Sequence, residues 1–141
     1  MRKMDKIQKK KVISLLVKYF HTQPEILLAY LFGSSVKGRG WKRKPDIDLA
    51  LLCRKKANIS RIYADIISLL KSERVDIVFL NTAPLSLIHE IIKTGECIFT
   101  RIDRAEYERR QNLIYYDTKY LRDLFTQALF KRLKEKKFAR C

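Results

Sequence analysis

The stretch Leu31–Cys53 reads LFGSSVKGRGWKRKPDIDLALLC. A short apolar run stops at Gly33-Ser34, a glycine-punctuated basic loop follows, and an alternating segment opens with Asp46 and Asp48. Side chains two residues apart on a strand point the same way. Asp46 and Asp48 are therefore expected on one face, with Ile47 turned to the other, toward packing. Carboxylates that close repel each other and lose solvation unless a cation sits between them. Hard oxygen ligands suit Mg²⁺, which takes one or two carboxylates and fills its shell with phosphate oxygens and water.

Outward from this stretch, apolar spacing sets the neighbouring elements. Residues 2–20 carry Met4, Ile7, Val12, Leu15, Leu16 and Tyr19 at helical spacing, and Pro24 ends that helix. Ile26–Phe32 and Ile47–Cys53 read as strands, Asn58–Ser72 as an amphipathic helix, and Arg74–Asn81 as a third, β-branched strand. Pro84 starts a helix to about Thr94, with Gly95 as its cap, and "CIFT" is a short fourth strand. From Asp103 to about Lys137, Tyr107, Ile114, Leu121, Phe125, Ala128 and Leu133 recur at three-and-four spacing, the mark of a long helix. The order α-β-loop-β-α-β-α-β-α predicts one α/β domain over residues 1–141.

Asp76 is the one carboxylate inside the third strand. If that strand lies beside the second, three carboxylates from two strands can hold two metals about 3.5–4 Å apart, as an in-line nucleotidyl displacement uses them. The alternative for Asp76 is an edge charge paired with Arg74. Gly33 allows backbone to approach phosphate closely, and Ser34 with the following N–H groups can bind it. Gly-Ser, Asp-x-Asp and a strand Asp are each common alone. Their order is specific: strand, Gly-Ser, an eleven-residue gap, Asp-x-Asp, helix, strand, Asp.

Composition bounds the rest. The 141 residues suffice for one hydrophobic core, and 47% hydrophobic content with 4 Gly and 3 Pro predicts an ordered chain. The longest apolar run, ILLAYLF, is too short to cross a bilayer, and the basic start lacks the cleavage pattern of a signal peptide. Cys53, Cys97 and Cys141 are widely spaced without a CxxC, which suits a reducing cytoplasm and argues against a disulfide framework or a zinc site. The 31 basic against 15 acidic residues give +16, a field that draws polyanions and repels polycationic small molecules.

FGSSVKGRGWKRKPDIDLALL together with RVDIVFL resembles the nucleotidyltransferase superfamily that includes DNA polymerase beta, and within it the minimal nucleotidyltransferase (MNT) family. Gly33, Ser34, Asp46, Asp48 and Asp76 match its pattern one by one, and Gly38 falls where its loop often has glycine. The likeness spans about residues 10–100. YYDTKYLRDLF (Tyr115–Phe125) is weakly similar to the end of MNT antitoxins. Pro45 departs from the Ser that family members often carry there.

The resemblance implies a nucleotidyltransferase fold: a small mixed sheet packed by helices, with a long C-terminal helix. It implies Asp46, Asp48 and Asp76 as catalytic metal ligands for two Mg²⁺ ions, Asp76 also taking the acceptor's proton. Gly33, Ser34 and Ser35 would hold the β- and γ-phosphates. Lys37, Arg39, Lys42, Arg43 and Lys44 either meet the triphosphate or form an ordinary solvated loop. Trp41 either stacks on the base or anchors that loop, and His89 reads as a surface or core-edge histidine. Aminoglycoside-modifying relatives need a second helical domain and polycationic substrates, and neither suits this chain. The remaining implication is an MNT antitoxin that transfers AMP from ATP to a tyrosine of a separate HEPN ribonuclease toxin. The toxin's own Arg-x(4–6)-His-x-Tyr motif is absent here. The competing reading is a non-catalytic basic module that neutralises a partner, or holds RNA, by contact alone. Neither reading expects a membrane or DNA specificity.

Overall fold

A computed structural model describes residues 2–33, 46–71 and 74–139, with side chains for 8–33, 46–71 and 74–136. Four strands form one sheet in the order β3-β2-β1-β4: β1 (Ile26–Phe32), β2 (Ile47–Cys53), β3 (Val75–Phe79) and β4 (Glu96–Thr100). β1 runs antiparallel to β2 and β4, and β2 runs parallel to β3. The helices are α1 (Arg2–Thr22), α2 (Ile59–Leu70), α3 (Leu85–Thr94) and α4 (Arg104–Ala139). The architecture is the mixed α/β sheet with a long last helix that the sequence predicts, the elements falling in the expected order.

Strand alternation divides the core in two. Ile47, Leu49, Leu51 and Cys53 of β2 join Val75, Leu31 and Phe99 under α1 and α2, which contribute Leu16, Phe20, Ile62 and Ile66. The residues between them, Ala50 and Leu52, face the other way and pack with Leu28, Tyr30 and Val78 against Ile88 and Ile91 of α3. Cys53 is buried in the first core, where burial pushes its thiol up to about 11 and leaves it a packing group. Cys53 and Cys97 are both free.

Polar contacts seat the helices. Tyr19 of α1 donates to Asp65 of α2 at 2.7 Å. The Asn58 side chain caps α2 by accepting from the Arg61 N–H at 3.1 Å, worth about 1 kcal/mol. Arg101 donates to the carbonyls of Phe20 (2.6 Å), His21, Gln23 and Ile26, so one guanidinium ties the end of α1 to β1 and β4. Asn81 extends the β2–β3 pairing, its amide exchanging bonds with the N–H (2.9 Å) and carbonyl (2.6 Å) of Cys53.

Three expectations change on contact with the fold. The inward face of α1 is Val12, Ile13, Leu16, Tyr19 and Phe20, and Leu15 is exposed. Spacing alone leaves a helix free to roll by one residue, and Phe20 settles the choice by packing on Phe99 with ring centroids 5.5 Å apart. Gly95 caps α3 from extended backbone (φ −78°), not from the left-handed region. Its missing side chain is needed for another reason: a Cβ there would lie 2.4 Å from the Ile91 carbonyl and 3.1 Å from that of Leu31. The periodic apolar positions of α4 are not one packed stripe, since Ile114, Leu121, Phe125 and Leu133 are exposed. Among the described residues no helix is long and apolar enough to cross a membrane.

Candidate active site

The site assembles where three strand ends meet. β1 ends at Phe32, beside the start of its antiparallel neighbour β2, and β3 starts beside β2 because those two are parallel. Register places Phe32 opposite Asp48, and Asp48 opposite Asp76. Neighbouring strands lie about 4.8 Å apart, so the two carboxylates are held on one sheet face at close range. Ile47 and Val75, their neighbours in sequence, are buried on the opposite face. The fold thus answers why aspartates sit at the head of a buried strand: the same alternation that feeds one core turns Asp48 and Asp76 out of it.

Asp48 is half-buried and Asp76 exposed. Burial, then the charges of Asp76 and Asp46, raise the Asp48 carboxyl above the ordinary carboxylate value. A cation beside Asp48 would offset what disfavours its charged form. Asp46 precedes β2 and is exposed, and its Oδ1 lies 3.9 Å from the Arg74 guanidinium, itself exposed. An exposed pair of this kind is worth roughly 0–1 kcal/mol, so it opposes a stronger ligand at Asp46 only weakly.

Gly33 completes the arrangement. It sits at φ +65°, and a Cβ built on it would stand 2.5 Å from Oδ2 of Asp48. Glycine at this turn therefore serves two needs, a left-handed backbone and room for the carboxylate beside it. Read from sequence alone, this glycine has a third role, close approach of backbone to phosphate, and neither of these two.

Of the residues read from sequence, the fold brings Gly33, Asp46, Asp48 and Asp76 together. Ser34, Ser35, Lys37, Gly38, Arg39, Trp41, Lys42, Arg43, Lys44 and Pro45 lie outside the described residues. The alternative reading of Asp76, an edge charge paired with Arg74, meets an ion pair of Arg74 with Asp46. Parallel register explains it: counting back from Asp48 opposite Asp76 sets residue 74 beside residue 46, a signal available once the strand pairing is known. His89 is a core-edge residue, stacked on Tyr115 with centroids 3.8 Å apart and within 3.2 Å of Asn112. An open groove of about 470 Å³ along α1, lined by Lys10, Lys11, Ser14 and Leu15, includes none of the carboxylates.

The site fits a hard divalent cation held jointly with a phosphate ligand. Among the described residues no three His, Cys, Asp or Glu side chains close into a ready-made cage. Two facing carboxylates with room for substrate oxygens are the usual provision for Mg²⁺, in contrast to an all-protein Ca²⁺ or Zn²⁺ site.

A mixed sheet with facing aspartates at the head of two parallel strands, beside a glycine turn, belongs to the nucleotidyltransferase fold. The chain matches the polymerase beta nucleotidyltransferase family over residues 14–104 and belongs to it. Among solved structures it is similar to the MNT antitoxin complex with the tri-AMPylated HEPN toxin of Shewanella oneidensis, at 25% identity and TM-score 0.64, over 90% of this chain and 99% of that one. It is similar to a toxin–antitoxin structure with AMP-PNP at 27% identity and TM-score 0.66, over 86% of this chain and 98% of that one. The MntA–HepT complex shares the fold at 24% identity and TM-score 0.62, over 89% and 98% of the two chains. No curated protein sequence matches the chain.

Proposed function

We propose that this protein is a Mg²⁺-dependent nucleotidyltransferase that moves AMP, or another nucleoside monophosphate, from an NTP to a protein hydroxyl. The acceptor on this reading is a tyrosine of a cognate HEPN toxin, which makes the chain an antitoxin and a protein adenylyltransferase. The observation that carries it is Asp48 facing Asp76 across β2 and β3, with Gly33 packed against the Asp48 carboxylate. The AMPylated toxin and the AMP-PNP of the similar structures support ATP as donor.

Asp46, Asp48 and Asp76 would hold the metal, two ions being the number that three carboxylates suit. Bound there, Mg²⁺ neutralises the triphosphate and the charge that builds on the leaving group. Gly33, Ser34 and Ser35 would receive the β- and γ-phosphates, with Lys37 and Arg39 beside them. Asp76, exposed on β3, would take the proton of the incoming hydroxyl. The tyrosine oxygen then bonds to the α-phosphorus, the bond to the bridging oxygen breaks, and pyrophosphate leaves. Residues 1–141 act on this reading as one nucleotidyltransferase domain, with its core at about 10–100 and its C-terminal helix at about 103–137. The free thiols of Cys53 and Cys97 suit a cytoplasmic setting.

Intact mass spectrometry of the protein encoded beside this gene tests the reading, after incubation with this chain, Mg²⁺ and each NTP in turn. A gain of one or more nucleotide units is expected. An Asp46→Asn, Asp48→Asn variant should lower the rate on the order of 10³-fold or more, about 4 kcal/mol of barrier. A stable complex without mass gain would favour neutralisation by contact.

A further inference from the structure

The two halves of α4 have opposite surroundings. Its first turns are bound into the body: Tyr30 donates to Glu108 at 2.7 Å, and His89 of α3 stacks on Tyr115. Arg122 closes this contact, its guanidinium 4.2 Å from the Tyr115 ring and 2.8 Å from the Tyr115 carbonyl. α3 is the principal neighbour of α4, and among the described residues the contacts at Asn112, Tyr115 and Tyr116 fall in the nearer half of α4.

A second apolar face lies on the side away from Tyr115 and Arg122. Leu113, Ile114, Tyr120, Leu121, Leu124 and Phe125 fall on it at helical spacing, and they are 42–76% exposed. Six large side chains exposed side by side on one helix face form a contiguous apolar patch, the mark of an interaction surface on a folded domain. Leu129, Phe130 and Leu133 are exposed further along the helix, turned toward the side of Tyr115 and Arg122.

Charge selects the occupant. Lys119, Lys131, Arg132, Lys134 and Lys136 are exposed along the same helix, against Asp117, Asp123 and Glu135. A second copy would bring the same cations and another +16. An acidic surface would gain where a copy would be repelled. We infer that the outer half of α4, about residues 113–136, is a docking arm that seats helix-in-groove on an acidic, apolar-lined surface of the protein acceptor. The inference rests on the reading above that the acceptor is a protein, and it separates the surface that holds the acceptor from the carboxylates that act on it. Docking through the arm converts the transfer into a reaction within one complex, at high effective concentration.

The test is calorimetric titration of the full chain with the protein encoded beside its gene, at low and at high salt. Leu121→Asp with Phe125→Asp should weaken binding at least 100-fold, since buried apolar anchors dominate such interfaces. Lys131→Glu, Arg132→Glu and Lys134→Glu should weaken it about 10-fold and flatten its salt dependence. All five positions are exposed, so thermal melts of both variants should match the parent. Unchanged affinity in both variants, or no complex with the parent chain, overturns the inference. So does a homodimer of the parent chain that the paired aspartates dissociate, because the occupant is then a second copy. Arm-dependent binding without nucleotide transfer would sink the transferase reading and leave the arm standing. Transfer that proceeds equally well in both arm variants would do the reverse.

Discussion

The two faces of the sheet are built from the same strands and end differently. On the side of α1 and α2, β2 offers Ile47, Leu49, Leu51 and Cys53, all buried from the first residue to the last. On the side of α3 and α4, the same strand offers Asp48, Ala50 and Leu52, so the apolar surface stops one residue short and a charge takes its place. β3 repeats the pattern with Val75 and Ile77 on one side and Asp76 and Val78 on the other. One face is structural along its whole length. The other gives up packing at one end and gains a facing pair of carboxylates. A period of two, with no insertion or special turn within the strand, is enough to put both on one element.

This contrast can be tested by perturbing each face in turn. On the closed face, Leu49→Ala should cost about 2–5 kcal/mol, read as a fall in the denaturant midpoint. Leu49 is fully buried among side chains from both helices and the sheet, so the space it leaves has little means of collapsing. A cost under 1 kcal/mol would mean that this face is not tightly packed at Leu49.

At the boundary between the faces, Gly33→Ala should cost about 1–2 kcal/mol from its left-handed backbone alone. The new methyl would also push the Asp48 carboxylate aside, so nucleotide transfer should fall more than stability does. Rate and melting temperature measured on one preparation separate these effects, and an equal loss in both would reduce Gly33 to a turn residue.

On the open face the smallest change has the opposite sign. The native Asp48 carboxyl has a raised pKa, so the folded chain binds more protons than the unfolded chain above the usual carboxylate value. Metal-free stability is therefore highest below the unfolded pKa and falls as pH rises through the folded one. Asp48→Asn removes that penalty and should raise the metal-free melting temperature at pH 7, by about 1–2 °C because solvent screens a half-exposed group. The advantage should shrink toward pH 4 and reverse in saturating Mg²⁺ with nucleotide, where the parent gains ligand-linked stability. A variant less stable than the parent at every pH would show that Asp48 contributes packing or hydrogen bonding that outweighs its charge.

The sequence is most legible where one residue type can satisfy one demand. β1 and β2 fall where the apolar run and the alternation place them, from Ile26 to Phe32 and Ile47 to Cys53. Asp46, Asp48, Asp76 and Gly33 are readable as a set because their order and spacing are specific. Legibility drops where several partners would serve. The spacing of α1 admits more than one inward face, and only Phe99 and the sheet select Phe20 over Leu15. Arg74 is close in sequence to Asp76, yet register sets it beside Asp46. In α4 a three-and-four pattern reads alike whether the face is buried or bare, because periodicity records amphipathicity and not the presence of a neighbour.

By itself the sequence determined the elements, the residue types offered to the candidate site and the excess of positive charge, because these depend on local alternation, residue type and a simple sum. Tertiary structure alone decided that β2 and β3 pair in parallel with Asp48 opposite Asp76, that the missing Cβ of Gly33 makes room for that carboxylate, and that α3 covers only part of α4. Those facts depend on which distant segments share a surface. Strand register and helix contact are settled by the packing of the whole chain, and residues far apart along it acquire a common function only after that packing is complete.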